Sequence, residues 1–290
     1  MQSTAGAHGV ITEDRSSEYE FTDGHFDYVR NIVTEQTGIR LPDGKRQMVY
    51  GRLVRRLREL RLADFDAYVD YLENHRDAEL VNLINAITTN LTSFFRENHH
   101  FQMIRDRLLP EIIARNGNRR RLRIWSAGCS TGEEPYSIAM TLLDSLPSPS
   151  TWDLRILATD IDTGVLESAK KGVYAFDRVK SLPDSVRRRW FLRGRGDNAE
   201  RVKVRPDLQE LIRFKQLNLM GAWPMRGPFD IIFCRNVVIY FDKPTQKRLF
   251  ERYADVLCEG GYLILGHSES MHNSGDRFQL LGNTVYRKVG

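Results

Sequence analysis

From about Thr22 to Ala86 apolar residues return every three or four positions, the spacing that lays one hydrophobic stripe along a helix, and no β-rich run interrupts them. The turn-prone stretches LPDGK and RLADF break the pattern, so residues 21–87 are predicted to form a small all-helical domain. The small, polar and acidic residues 1–20 before it are expected to be a flexible tail. Within KRQMVYGRLVRRLRELR, residues 45–61, Val49, Leu53, Leu57 and Leu60 share the apolar stripe, while Arg52, Arg55, Arg56 and Arg58 lie elsewhere around the turn. Residues 88–120 continue as helix or helix plus loop and end in the polar RNGNRRR; they read as a linker segment.

At Arg121 the period changes. LRIWSA, LRILATD, FDIIFCRN and GYLILGHSE have the character of strands, and they alternate with the helical stretches GEEPYSIAMTLLDSL, TGVLESAKKG and TQKRLFERYADVLC. That order predicts a parallel sheet covered by helices. Near the C-terminus, in FQLLGNTVYRKV, Gly282-Asn283 sits between two β-prone runs as a hairpin signal. The fold class is therefore α/β, the Rossmann-like methyltransferase variant of the doubly wound sheet with a C-terminal antiparallel hairpin, over residues 121–290. An Arg-rich insertion near 174–211 is too long for a simple connection and is expected to form a small β subdomain.

Composition changes this picture little: 41% hydrophobic and 28% charged residues are ordinary for a soluble globular protein. The N-terminal run does not resemble a signal peptide and no apolar stretch approaches a membrane span, so a cytoplasmic protein without direct membrane insertion is expected. Cys129, Cys234 and Cys258 lack CxxC or metal-ligand spacing and read as reduced thiols, Cys234 as a buried structural one. No metal is expected: HExxH is missing, and the adjacent His99 and His100 would point to different faces of a helix. The net charge of +5 is concentrated in the basic helix, and by itself does not imply a nucleic-acid partner.

The loop SAGCSTGEEPY, residues 126–136, carries the most informative chemistry. A glycine turn leading into a helix near Thr131 would suit a pyrophosphate, but Glu133 and Glu134 already bring negative charge to that place. In the next loop, ATDID, Asp160 ends a strand where a carboxylate can accept both hydroxyls of a ribose, and Asp162 is the better cap for the helix starting at Thr163. Two carboxylates repel a phosphate and favour an ammonium or sulfonium group, which points to S-adenosylmethionine. Of the two glutamates, Glu133 reads as complementing the helix dipole and Glu134 as facing the ligand. At the fourth strand Arg235, Asn236 and Tyr240 lie at or beyond the strand end, and CRNV stands where a nucleic-acid amino-methyltransferase would carry an (N/D)PP(Y/F/W) tetrapeptide.

Taken together, TTNLTSFFRENHHF, SAGCSTGEEPYSIAM, ATDIDTGVLESAKKGVY, QLNL, FDIIFCRNVVIYF and GHSES resemble the CheR family, the chemotaxis receptor glutamate O-methyltransferases, from about Phe21 to the C-terminus. The resemblance implies transfer of a methyl group from S-adenosylmethionine to glutamates in the cytoplasmic domains of methyl-accepting chemotaxis receptors, leaving S-adenosylhomocysteine. It places cofactor contacts on Asn90, Thr92, Arg96, Glu134, Asp160, Asn218, Leu219, Arg235 and Asn236. Glu134 would meet the methionine end, Asp160 the ribose, and Asn218 and Leu219 the adenine edge and face. Arg96 and Tyr240 would approach the reacting centre as the catalytic pair. It also implies an acidic helical substrate docking on Arg52, Arg55, Arg56 and Arg58. In some members a receptor C-terminal peptide tethers to a glycine-bearing loop of the β subdomain. This chain has Gly194 and Gly196 there, with Glu200 and Arg201 where another glycine would be expected. The rival readings are an RNA methyltransferase using the basic helix and a non-catalytic regulator that binds S-adenosylmethionine.

Overall fold

The computed structural model describes residues 18–271 and 276–290. Of the tail expected over residues 1–20, residues 1–17 lie outside that range.

Helix α1 (Asp23–Thr37) starts where the Thr22 hydroxyl accepts the His25 N–H at 3.2 Å, and it ends at Gly38, whose φ of +74° suits glycine. LPDGK then makes a single 3-10 turn into α2 (Arg46–Leu60). After α3 (Phe65–Asn74), capped by Asp64, comes α4 (Arg76–Ile87). The predicted stripe forms the domain's core: Val49, Leu53 and Leu57 are fully buried against Phe26, Val33, Phe65, Tyr68 and Leu83, while Leu60 is only partly covered. Each fully buried aliphatic side chain of this kind contributes roughly 1.5–3 kcal/mol.

The arginines of α2 divide into two kinds. Arg56 holds Glu79, which is only 1% exposed, through bonds of 2.7 and 2.6 Å, and the Tyr68 hydroxyl donates to the same carboxylate. Arg52 donates to the carbonyls of Ile87 and Thr88 at 2.5 and 2.6 Å, closing the free end of α4. Both guanidiniums are hydrogen-bonded inside the domain and partly covered. Arg55 and Arg58 are exposed, Arg58 paired with Glu18.

Beyond an irregular stretch over 88–98, α5 (His99–Met103) and α6 (Leu109–Asn116) are joined by a π-helical turn over Ile104–Leu108. Phe101, Ile104, Leu108 and Ile112 of this stretch pack into the same core as Leu122 and Ile124. The chain then runs through β1 (Arg121–Ala127), α7 (Glu133–Ser145), β2 (Asp153–Asp160) and α8 (Thr163–Lys171). An insertion carries β3 (Val173–Ala175), α9 (Asp184–Trp190), β4 (Phe191–Arg193), β5 (Arg201–Val204) and α10 (Pro206–Glu210). The remainder comprises β6 (Ile212–Gln216), β7 (Phe229–Cys234), α11 (Lys243–Val256), β8 (Leu257–Leu265), β9 (Phe278–Gly282) and β10 (Val285–Lys288).

Among the described residues the main sheet has seven strands in the order β6-β2-β1-β7-β8-β10-β9, parallel from β6 to β8, with β10 antiparallel to both neighbours. This is the doubly wound arrangement with a terminal hairpin that the alternation of elements predicts. Its hairpin turns through Asn283 and Thr284 at φ of +48° and +57°, one residue beyond the Gly282-Asn283 signal. The insertion forms a separate antiparallel sheet in the order β3-β5-β4. Strand order reverses between β1 and β7, and the crevice beyond the carboxyl ends of these strands is where an open α/β sheet receives ligands. No helix among the described residues is long and apolar enough to cross a membrane.

Candidate active site

A cavity lies over that crevice. Asn90, Thr92, Arg96, Glu134, Asp160, Asn218, Leu219, Arg235, Asn236 and Tyr240 all line it, so the ten residues nominated for cofactor binding or catalysis are brought to one place. Its opposite wall comes from the helical domain through Thr37, Ile39, Arg40, Leu41, Lys45 and Met48, which sequence reasoning did not foresee.

The glycine turn after β1 has a steric cause. Gly128 has φ +90°, and a Cβ there would stand 2.3 Å from Cγ2 of Val237, so the loops after β1 and β7 touch directly. Glu133 is fully buried; it accepts the Thr131 hydroxyl at 2.6 Å and pairs with Arg178 from the insertion. Glu134 takes the cavity side, accepting the Ser126 hydroxyl at 2.7 Å and Nη1 of Arg235 at 3.2 Å, and burial pushes its carboxyl upward.

Asp160 accepts the Ser130 and Asp162 N–H groups at 2.8 and 3.0 Å, leaving oxygen lone pairs free; burial pushes its carboxyl upward against those two bonds. Asp162 caps α8 as predicted, accepting from Gly164 and Val165, and its second oxygen accepts from Thr88 and Asn90, both at 2.7 Å. The stretch between the domains is thereby fastened to the end of β2. Asn90 is held a second time, its carbonyl accepting the Ser130 hydroxyl at 3.0 Å.

Arg235 is the hub of the floor. Besides Glu134 it meets Glu97 at 3.2 Å, donates to the carbonyl of Arg96, and lies 5.8 Å over the Phe101 ring. Burial pushes the Glu97 carboxyl up, but hydrogen bonding to His267 and the charge of Arg235 outweigh it and hold the group down at about 2. Phe95 and Glu97 adopt left-handed φ values of +51° and +55° on either side of Arg96, whose Nη1 donates to the Leu91 carbonyl at 2.8 Å. Such non-glycine conformations cost on the order of 1–3 kcal/mol each and persist only where their surroundings hold them.

Two further residues brace the cavity wall. The Asn218 amide donates to the Gln36 carbonyl at 2.6 Å and accepts the Met220 N–H at 2.9 Å. That side chain braces α1, and one amide N–H and one oxygen lone pair remain at the cavity wall. The second was not foreseen from the sequence. Glu269, 3% exposed, accepts the N–H groups of Gly266, Asn236, Val237 and Ile239 at 2.7, 2.8, 2.8 and 3.2 Å, and so shapes the whole loop after β7. Gly266 beside it leaves no room for a side chain: a Cβ there would come within 2.8 Å of both Glu269 and Asn236.

Acidic groups at the ends of β2 and α7, apolar Ile161, Leu217 and Leu219 between them, and a glycine turn give a cavity suited to a nucleoside with a cationic end and no phosphate.

Comparison with known proteins agrees in kind. The model of the CheR methyltransferase SAM binding domain matches residues 90–287, and that of the CheR methyltransferase all-alpha domain matches residues 24–88. Chemotaxis protein methyltransferase 2 of Pseudomonas aeruginosa is 46% identical over 273 residues, 93% of this chain and 95% of that one. The chemotaxis protein methyltransferase of Escherichia coli K12 is 46% identical over 268 residues, 91% of each chain. Among solved structures, DszA carbon methyltransferase overlaps 58% of this chain and 35% of its own at 18% identity and a TM-score of 0.38.

Proposed function

This chain belongs to the CheR methyltransferase family, and from that premise we propose that the cavity between its helical domain and its sheet is the catalytic centre. The protein is a methyltransferase that uses S-adenosylmethionine and acts on chemotaxis receptors, esterifying glutamate side chains. When bound, S-adenosylmethionine supplies an electrophilic methyl group on a sulfonium centre.

The chain's own residues then have distinct tasks. Asp160 keeps lone pairs for the ribose hydroxyls, Leu219 and Ile161 cover the adenine, and Glu134 offers negative charge to the amino-acid end. Arg235 holds Glu134 and the Arg96 backbone in register. Arg96 and Tyr240 receive the acceptor carboxylate and orient it, Tyr240 standing where the cavity meets a second groove that Arg40, Lys45 and Lys243 also line. A glutamate is ionised near neutral pH, so no residue has to remove a proton from it. Transfer consumes a negative and a positive charge, and a site that excludes water favours such a step.

The observation that carries this reading is the meeting of Asp160 and Glu134 with Arg96 and Tyr240 in one cavity. Asp160→Ala and Glu134→Ala are each expected to weaken S-adenosylmethionine and S-adenosylhomocysteine about 10–100-fold in calorimetry while the protein stays folded. Wild-type affinity in both folded variants would overturn the assignment.

For the receptor's C-terminal peptide we propose the β4 edge of the small sheet. Among the described residues β4 pairs only with β5, and Leu192 on it is 42% exposed. An extended peptide adds to such an edge through main-chain hydrogen bonds. Titration with receptor C-terminal pentapeptides tests it, and lack of saturable binding to any of them sinks it.

A further inference from the structure

Arg235 touches Glu134 with one nitrogen and Glu97 with the other, and on the Glu97 side the side chains have the character of a metal site. One potential ligand atom from each of Glu97, His99 and His100 lies within 4.8 Å of the others. Successive residues turn about 100° apart on a helix. The imidazoles are nonetheless long enough to meet, their centroids 4.2 Å apart, which corrects the expectation that His99 and His100 diverge.

His100 supplies an independent observation. Its side chain is fully inaccessible, and Nε2 lies 2.7 Å from the carbonyl oxygen of Asn283. A carbonyl only accepts, so Nε2 carries the proton and Nδ1 keeps its lone pair. That Nδ1 is buried without a hydrogen-bond partner, 3.5 Å from Glu97. Buried polar atoms are normally paired, and an orphan demands a cause. A neutral imidazole with its other N–H fixed by a backbone carbonyl is the usual state of a metal-ligating histidine. His99 is half-buried and opens the cluster to solvent, while His267 stands 2.9 Å from the other Glu97 oxygen and orients the carboxylate.

We propose that Glu97, His99 and His100 form a binding site for a divalent transition metal, Zn²⁺ foremost, with water completing its coordination. Mixed imidazole and carboxylate donors suit that class of ion and not Mg²⁺ or Ca²⁺. The ion competes with Arg235 for Glu97, and Arg235 is what holds Glu134 at the cavity. Metal therefore weakens the cofactor, and by reciprocity the cofactor weakens the metal. Only this coupling rests on the proposed cofactor site; the metal site stands apart from it.

Tag-free, metal-stripped full-length protein is titrated with Zn²⁺ in a calorimeter and with Co²⁺ under visible absorption. One saturable site with Co²⁺ d–d bands is expected. His99→Ala should weaken it by at least about tenfold, His267→Ala by about tenfold, and His75→Ala, remote on the surface, not at all. Saturating Zn²⁺ should lower S-adenosylhomocysteine affinity in the wild type but not in His99→Ala. Absence of saturable Zn²⁺ binding, or binding undiminished in His99→Ala, overturns the site. Zn²⁺ binding with unchanged S-adenosylhomocysteine affinity overturns the coupling. A wild type that fails to bind S-adenosylhomocysteine refutes the cofactor reading and leaves the Zn²⁺ titration decisive for the metal.

Discussion

Glu269 shows how one side chain shapes a loop of the cavity wall through backbone hydrogen bonds alone. Its carboxylate gathers four N–H groups from two loops, so Glu269→Ala leaves several buried donors with no acceptor, each costing about 1–3 kcal/mol where water does not replace the lost bond. The variant is expected to lose about 3 kcal/mol or more in urea unfolding. Its affinity for S-adenosylhomocysteine should fall with it, because Asn236 and Tyr240 ride on that loop. Glu269→Gln keeps one oxygen and should recover part of both losses; an alanine variant of wild-type stability would show that the loop is held by other means. The positions of Asp160 and Glu134 on the cavity wall were legible in the sequence because each ends or begins an element whose type the residue pattern reveals. The role of Glu269 was not, since it depends on the end of β8 meeting a loop more than 30 residues earlier, an approach that no local period encodes.

At the scale of elements, α2 separates what a pattern can and cannot say. The apolar stripe at Val49, Leu53 and Leu57 was readable from spacing alone. Charge placement around the same helix did not reveal that Glu79 waits beneath Arg56, or that the open end of α4 lies beside Arg52. Of the four arginines nominated for docking, Arg55 and Arg58 are the ones that face solvent. Their reversal, Arg55→Glu with Arg58→Glu, is expected to raise the receptor KM and flatten its dependence on salt, since screening acts beyond a Debye length of about 8 Å at physiological ionic strength. Affinity for S-adenosylhomocysteine should stay unchanged. An unaltered KM and salt slope in a folded double variant would mean that the receptor approaches without this helix. Strand β6 marks the other limit of legibility: IRFKQ is a short, polar, half-exposed edge strand, and only its parallel pairing with β2 identifies it.

For the whole molecule, acid should act in two stages, because His100 and Glu97 tie α5 to the C-terminal hairpin and to the loop after β8. The His100 imidazole is depressed from its ordinary 6.5 to about 4, so the unfolded chain takes the proton first. Its contribution is present above pH 6.5 and is lost as pH falls towards about 4. Glu97, depressed from 4.5 to about 2, contributes above pH 4.5 and loses that contribution as pH falls towards 2. Urea unfolding across this range should show both stages. His100→Gln should lack the upper one and Glu97→Gln the lower, and a His100→Gln profile parallel to wild type would dismiss the first assignment.

The contacts of the helical domain make it part of the cavity wall. Asn218 grips the carbonyl of Gln36, Arg40 donates to the carbonyl of Tyr240 at 2.9 Å, and Asn85 exchanges hydrogen bonds with Thr163. Two relatives therefore cannot trade their first domains at the junction near residue 88 as interchangeable parts. A hybrid keeps this cavity only when residues 36–41 and 85–92 match the partner's loops at 160–163, 218–220 and 235–241, so that what reads along the chain as two modules is inherited as one.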